Sequence, residues 1–160
     1  MTFLFSTRTV NLLSLCLFCL ALTLLSGCGG VSKLTPAEQA EVDKYVKDHG
    51  RNSLVSYLSN CQNEDEKLVL KYVKYFVSQG ADVNAKDWRR NSTPLHHAVM
   101  YDGDGIEVVK FLVSKGADVN AKAQFEGYHF GRNEPFYGFP LDFAKELGRE
   151  EIAKYLSGLK

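Results

Sequence analysis

The sequence predicts an all-α repeat solenoid behind an N-terminal capping helix. Three observations predict it. Gly80-Ala81-Asp82-Val83-Asn84-Ala85-Lys86 recurs word for word as Gly116-Ala117-Asp118-Val119-Asn120-Ala121-Lys122, 36 residues later, and identity at a fixed spacing marks an internal repeat. Between the copies, Ile106, Val108, Val109, Phe111 and Leu112 form a helical apolar pattern. At 160 residues, with 45% hydrophobic and 12% aromatic side chains, the chain is about one domain's worth of core-building material.

Charge narrows the partners. The 19 basic and 19 acidic side chains balance, and residues 1–27 hold a single charge, Arg8. Without a basic excess the chain is not a nucleic-acid binder, and its length excludes a multi-domain enzyme.

The first element is an address. The apolar run 12–25 is 14 residues long, shorter than the ~20 a membrane span needs and suited to a secretory signal core. It ends in Leu25-Ser26-Gly27-Cys28, which resembles the lipobox of bacterial lipoprotein signal peptides. The resemblance implies cleavage of residues 1–27 and acylation of Cys28, with 28–34 as the acylated residue and its tether. Gly29 stands where Asp would retain an enterobacterial lipoprotein in the inner membrane, so the outer membrane, facing the periplasm, is implied. Of the four cysteines only Cys61 then remains in the folded part, as a buried small hydrophobe without an intramolecular disulfide.

Residues 35–160 form the repeat domain. In 35–50, Thr35, Pro36 and Glu38 spell a helix start with a capping box, and Ala40, Val42, Tyr45 and Val46 give one apolar face. This is a capping helix or the remains of a further repeat. In 51–90, a short helix at 54–58 precedes one at 67–78 that is apolar on most sides and therefore sandwiched. In 91–123, Thr93-Pro94-Leu95-His96-His97-Ala98 opens a helix, with the Thr93 hydroxyl as cap and Pro94 at the first position. Gly80 and Gly116 are left-handed helix ends, and Asp82, Asn84 and their copies organise turns. In 139–160, Pro140-Leu141-Asp142-Phe143-Ala144 and Ile152-Ala153-Lys154-Tyr155-Leu156 repeat the scheme in worn form.

These motifs resemble the ankyrin repeat, closely over 91–123 and recognisably over 66–90 and 139–160. About three such repeats are implied. The resemblance makes His96 structural, bonded to its turn, and places a protein-binding surface on the hairpin tips and the exposed positions of each first helix. Mapped onto this chain, those positions are Asp87, Trp88, Arg89, Ser92, His97, Met100 and Tyr101, with Arg90 beside them. The exposed Trp88 and the arginines suit a partner bearing carboxylates and an apolar pocket.

The chain departs from the family in three places. Two extra residues fall in Asp102-Gly103-Asp104-Gly105. The 87–92 hairpin lacks its usual glycine, so Asn91 takes the left-handed conformation. Segment 124–138 is an insertion rich in aromatics, among them Phe125, Tyr128, Phe130 and Tyr137. It is either a small core folded over the last repeat or a partner-binding finger.

No nucleophile or acid–base pair is identifiable, the DGDG loop lacks a full calcium ladder, and no metal or cofactor is expected. The sequence therefore reads as a non-catalytic, monomeric binding module, attached to the membrane by its N-terminal lipid and binding a periplasmic protein. A narrower form is an immunity protein against a toxin delivered to the periplasm. The competing class is a small-ligand binder or envelope enzyme using His97 and His129.

Overall fold

The computed structural model describes residues 34–61, 64–126, 131 and 133–159. The signal segment 1–27, Cys28, Tyr128, His129 and Phe130 lie outside the described residues.

Seven α-helices and one β-ribbon occur among the described residues: α1 (Pro36–His49), α2 (Ser53–Asn60), α3 (Glu66–Ser78), α4 (Pro94–Met100), α5 (Ile106–Ser114), β1 (Ala123–Phe125), β2 (Phe136–Gly138), α6 (Pro140–Glu146) and α7 (Glu150–Ser157). The pairs α2/α3, α4/α5 and α6/α7 stack in order, with α2, α4 and α6 in one row and α3, α5 and α7 in the other. That is the expected all-α repeat solenoid. One apolar core runs its length, from Val42 through Leu54, Val73, Leu95, Val109 and Phe143 to Leu156. Each such side chain contributes about 1.5–3 kcal/mol of transfer free energy, which offsets the cost of ordering the chain.

Helix α1 packs on both α2 and α3. The expected capping box starts it: Thr35 N–H donates to Glu38 Oε2 at 2.6 Å and Glu38 N–H to Thr35 Oγ1 at 3.3 Å. Its apolar face is narrower than the sequence suggests, for Val42 is buried and Tyr45 and Val46 are half-buried, but Ala40 is exposed. Two polar links fasten α1 to α3, an ion pair from Lys71 to Glu38 at 2.8 Å and a hydrogen bond from Tyr75 Oη to Asp43 at 2.6 Å. The Lys71 ammonium, with help from Thr35, holds the Glu38 carboxyl at about 2. With α1 on one side and α5 on the other, α3 is sandwiched, which is why its sequence is apolar on most sides.

Helix ends follow the repeat. Gly80 and Gly116 close α3 and α5 with φ of 84° and 86°. The Ala81 and Ala117 N–H groups reach back to the Phe76 and Leu112 carbonyls, both at 3.0 Å. Asp82 and Asp118 each accept the N–H two residues on, from Asn84 at 2.8 Å and Asn120 at 2.9 Å. Helix α4 differs from expectation. The Thr93 hydroxyl lies 2.9 Å from His96 Nδ1, which also accepts the Thr93 N–H at 3.2 Å, so the imidazole rather than the hydroxyl supplies the cap. Cys61 is buried, and burial pushes its thiol up to about 12.

Candidate functional site

The hairpin after α3 is built by its own side chains. Asp87 N–H donates to the Ser92 carbonyl at 2.8 Å and Asn91 N–H to the Asp87 carbonyl at 2.9 Å. Asp87 Oδ1 accepts Arg89 N–H at 3.1 Å. Asn91 takes φ 53°, the left-handed conformation expected where the glycine is missing. The turn thrusts Trp88 outward, leaving it 87% exposed, with the Arg89 guanidinium 5.5 Å from its ring.

Arg90 turns the other way. It is half-buried, and its guanidinium lies 5.3 Å from the centroid of Phe125. Its carbonyl accepts Gln124 N–H at 2.8 Å, which lashes β1 to the hairpin. Strand β1 pairs antiparallel with β2, Gln124 opposite Tyr137 and Phe125 opposite Phe136. Alternation along a strand sends these two pairs to opposite faces. Phe125 and Phe136 pack edge-on against Phe143 of α6, with ring centroids 5.1 and 4.8 Å away, whereas Tyr137 is 65% exposed. The base of the insertion is therefore a small core over the last repeat.

Two cavities lie along the α2/α4 row under this hairpin. One, of about 250 Å³, is lined by Asn52, Ser56 and Ser59 on the α2 side and by residues 86–90 and His97 opposite. The next, of about 340 Å³, runs past Met100 and Phe125 to Asp102 and Leu147. Ser59, Arg90 and His97 line both.

Four of the residues expected on an exposed face are buried, and the surface reading is corrected for them. Ser92 is fully buried because its hydroxyl is hydrogen-bonded to His97 Nε2 at 2.9 Å. His97 is 5% exposed, edge-on to Phe125. Burial lowers its pKa to about 4, with its neighbour His96 adding to the effect. Tyr101 is buried because its hydroxyl donates to the Glu64 carbonyl. Phe125 is buried against α6. Asp87 and Met100 are half-buried, and Trp88, Arg89 and Tyr137 are exposed. His96, fully buried, is likewise held at about 4 by burial; the Gly138 and Ala121 carbonyls oppose that shift but do not reach hydrogen-bond geometry with Nε2.

Sequence reasoning missed the opposite wall and a brace. Asn52, Ser56 and Ser59 follow one another by four and three residues, a polar stripe legible beside the apolar one. Arg149 had no motif to mark it. Its Nη2 donates to the Tyr101 carbonyl at 2.7 Å and its Nη1 to the Gly103 carbonyl at 3.1 Å, pinning the DGDG loop to the start of α7. The loop's glycines serve the same packing: a Cβ on Gly103 would stand 2.4 Å from the Tyr101 ring, and Gly105 has φ 63° with the Ala98 carbonyl 2.8 Å from a Cβ. Among the described residues no cluster of His, Cys, Asp or Glu is placed to hold a metal ion, and no helix is long and apolar enough to cross a membrane.

No curated protein matches the chain. A family model described as ankyrin repeats (3 copies) matches residues 31–123. That span holds α1 to α5 and the hairpin with Trp88, while α6 and α7 continue the stack beyond it. With more than half its length matched, the chain belongs to the ankyrin-repeat family.

Proposed function

We propose that this chain is a non-catalytic module that binds a protein across the 87–92 hairpin and the groove between α2 and α4, held by a lipid on Cys28 at the bacterial outer membrane and facing the periplasm. Ankyrin repeats generally mediate protein–protein interaction, and the chain's own geometry adds one observation that carries the reading. Trp88, 87% exposed at the rim of a lined groove with Arg89 against its ring, has the composition of a binding hot spot. The lipid anchor rests on Leu25-Ser26-Gly27-Cys28 after the apolar run 12–25.

The test is photo-crosslinking in cells, with a crosslinking residue placed at Trp88 or Ser59 of the full chain and, as control, at Lys110 on α5. One protein adduct from the first two positions and none from the third is the expected result. No adduct from either groove position would remove the binding reading. Radiolabelled palmitate should enter the wild-type chain and not Cys28→Ser; equal labelling would remove the anchor.

A further inference from the structure

We infer that the groove seats an extended acidic segment of the partner, with one carboxylate of that segment on Arg90. The inference rests on the protein-binding reading above and adds the chemistry of what is bound.

Arg90 stands at the waist of the groove, on the shared wall of the 250 Å³ and 340 Å³ cavities. Its orientation is set on two sides, by the Phe125 ring under the guanidinium and by the Gln124 N–H on its carbonyl. Among the described residues no acid is ion-paired with it: the pairs there are Lys71 with Glu38 and Lys110 with Glu107, both elsewhere. Asp87, the acid on the same cavity wall, accepts Arg89 N–H on Oδ1, and its negative charge is outnumbered by the cations Lys86, Arg89 and Arg90 of that wall. A half-buried guanidinium with its ring face covered and no acceptor on its donor fork among the described residues matches a carboxylate, which two parallel N–H bonds can grip.

The surroundings set the rest. Lys86 and Arg89, both exposed, line the first cavity and bring its positive charges to three with Arg90. The facing wall of Asn52, Ser56 and Ser59 is neutral and short. His97 on the floor is uncharged at pH 7, so field and selectivity come from the hairpin. Asp102 at the far end of the second cavity closes the positive stretch, which places the carboxylates toward the hairpin. Two cavities that share Ser59, Arg90 and His97 fit a length of extended chain better than a single small anion, and Trp88 at the rim can cover an apolar residue beside the acid.

Trp88 is the chain's single tryptophan, so its emission reads groove occupancy directly. The full chain in mild detergent is titrated with three ten-residue peptides, alternating Glu-Ala, Lys-Ala and Ser-Ala. Expected is a saturable change with Glu-Ala alone that weakens as salt rises. It should weaken at least ten-fold in Arg90→Gln and in Ser59→Glu, which plants a competing carboxylate at an exposed position. Lys110→Gln should leave it unchanged, and circular dichroism melting confirms that each variant is folded. Equal or tighter binding of Lys-Ala or Ser-Ala, or Glu-Ala binding indifferent to Arg90→Gln and Ser59→Glu, would overturn the acidic segment while leaving the groove a binding face. Silence with all three peptides also overturns it; the protein-binding reading falls separately, on the absence of crosslinked adducts.

Discussion

The Asn84 carboxamide grips the backbone around Asp118, one repeat away: its Oδ1 accepts the Asp118 N–H at 2.8 Å while its Nδ2 donates to the Gly116 carbonyl at 3.0 Å. The two identical heptapeptides are thus stitched to each other as well as copied. Asn84→Ala breaks both bonds at an exposed site where water re-solvates the backbone, so a loss of about 1–2 kcal/mol is expected in urea unfolding. Asn84→Asp keeps an acceptor for the N–H and loses the donor to the carbonyl, and should fall between. A variant as stable as wild type would show that the stitch contributes nothing.

Arg149 braces the last repeat to the DGDG loop through two charge-assisted bonds. Arg149→Met leaves the Tyr101 and Gly103 carbonyls without that donor and should cost about 1.5–3 kcal/mol. Hydrogen exchange should quicken in residues 101–105 and in α7 before it does in α2 or α3. Arg149→Lys replaces a fork by a point charge and should recover less than half of the loss.

The β-ribbon offers a paired comparison. Phe125→Ala empties a site packed against His97 and Phe143 and should cost about 3–5 kcal/mol. Tyr137→Ala, from the exposed face of the same ribbon, should change stability by no more than about 0.5 kcal/mol. Equal losses would mean the faces are assigned the wrong way round.

Acid should weaken the fold in two windows. His96 and His97 have folded pKa values near 4, below the ordinary 6.5, so the unfolded chain binds more protons between those values. Their contribution is complete above pH 6.5 and is lost as pH falls through 4, roughly 2 kcal/mol per histidine between pH 7 and pH 5. Glu38, lowered from 4.5 to about 2, gives way only below pH 4.5. Urea midpoints measured from pH 7.5 to 3 should fall first in the histidine window, and His97→Gln should shallow that first fall.

The repeat scaffold was legible because its signals are local. A word repeated at 36 residues, a proline at a helix start and a glycine at a helix end each act within one turn of chain, and α3 announced its burial by being apolar on most sides. His97, Tyr101 and Phe125 were misplaced on the surface because their burial comes from contacts far along the chain: Tyr101 finds the Glu64 carbonyl, His97 finds Phe125, and Phe125 finds Phe143; Ser92 follows through its bond to His97. The insertion's two faces depended on a strand register that composition does not carry. Arg149 was invisible for the same reason, since both of its acceptors are backbone carbonyls more than 40 residues away.

The fastening of α1 has a mechanical consequence. Tension applied at the N-terminal end of the stack enters through α1, whose polar ties to α3 are the Lys71–Glu38 pair and the Tyr75–Asp43 bond. In a stack where each unit touches only its neighbours, a pulled end yields one interface at a time. Helix α1 is then the element that peels first and absorbs the extension, like a fuse in series with the groove. Hairpin 87–92, β1 and Arg90 are joined to one another across the stack and not through α1, so they can stay closed on whatever they hold while the strain is spent upstream.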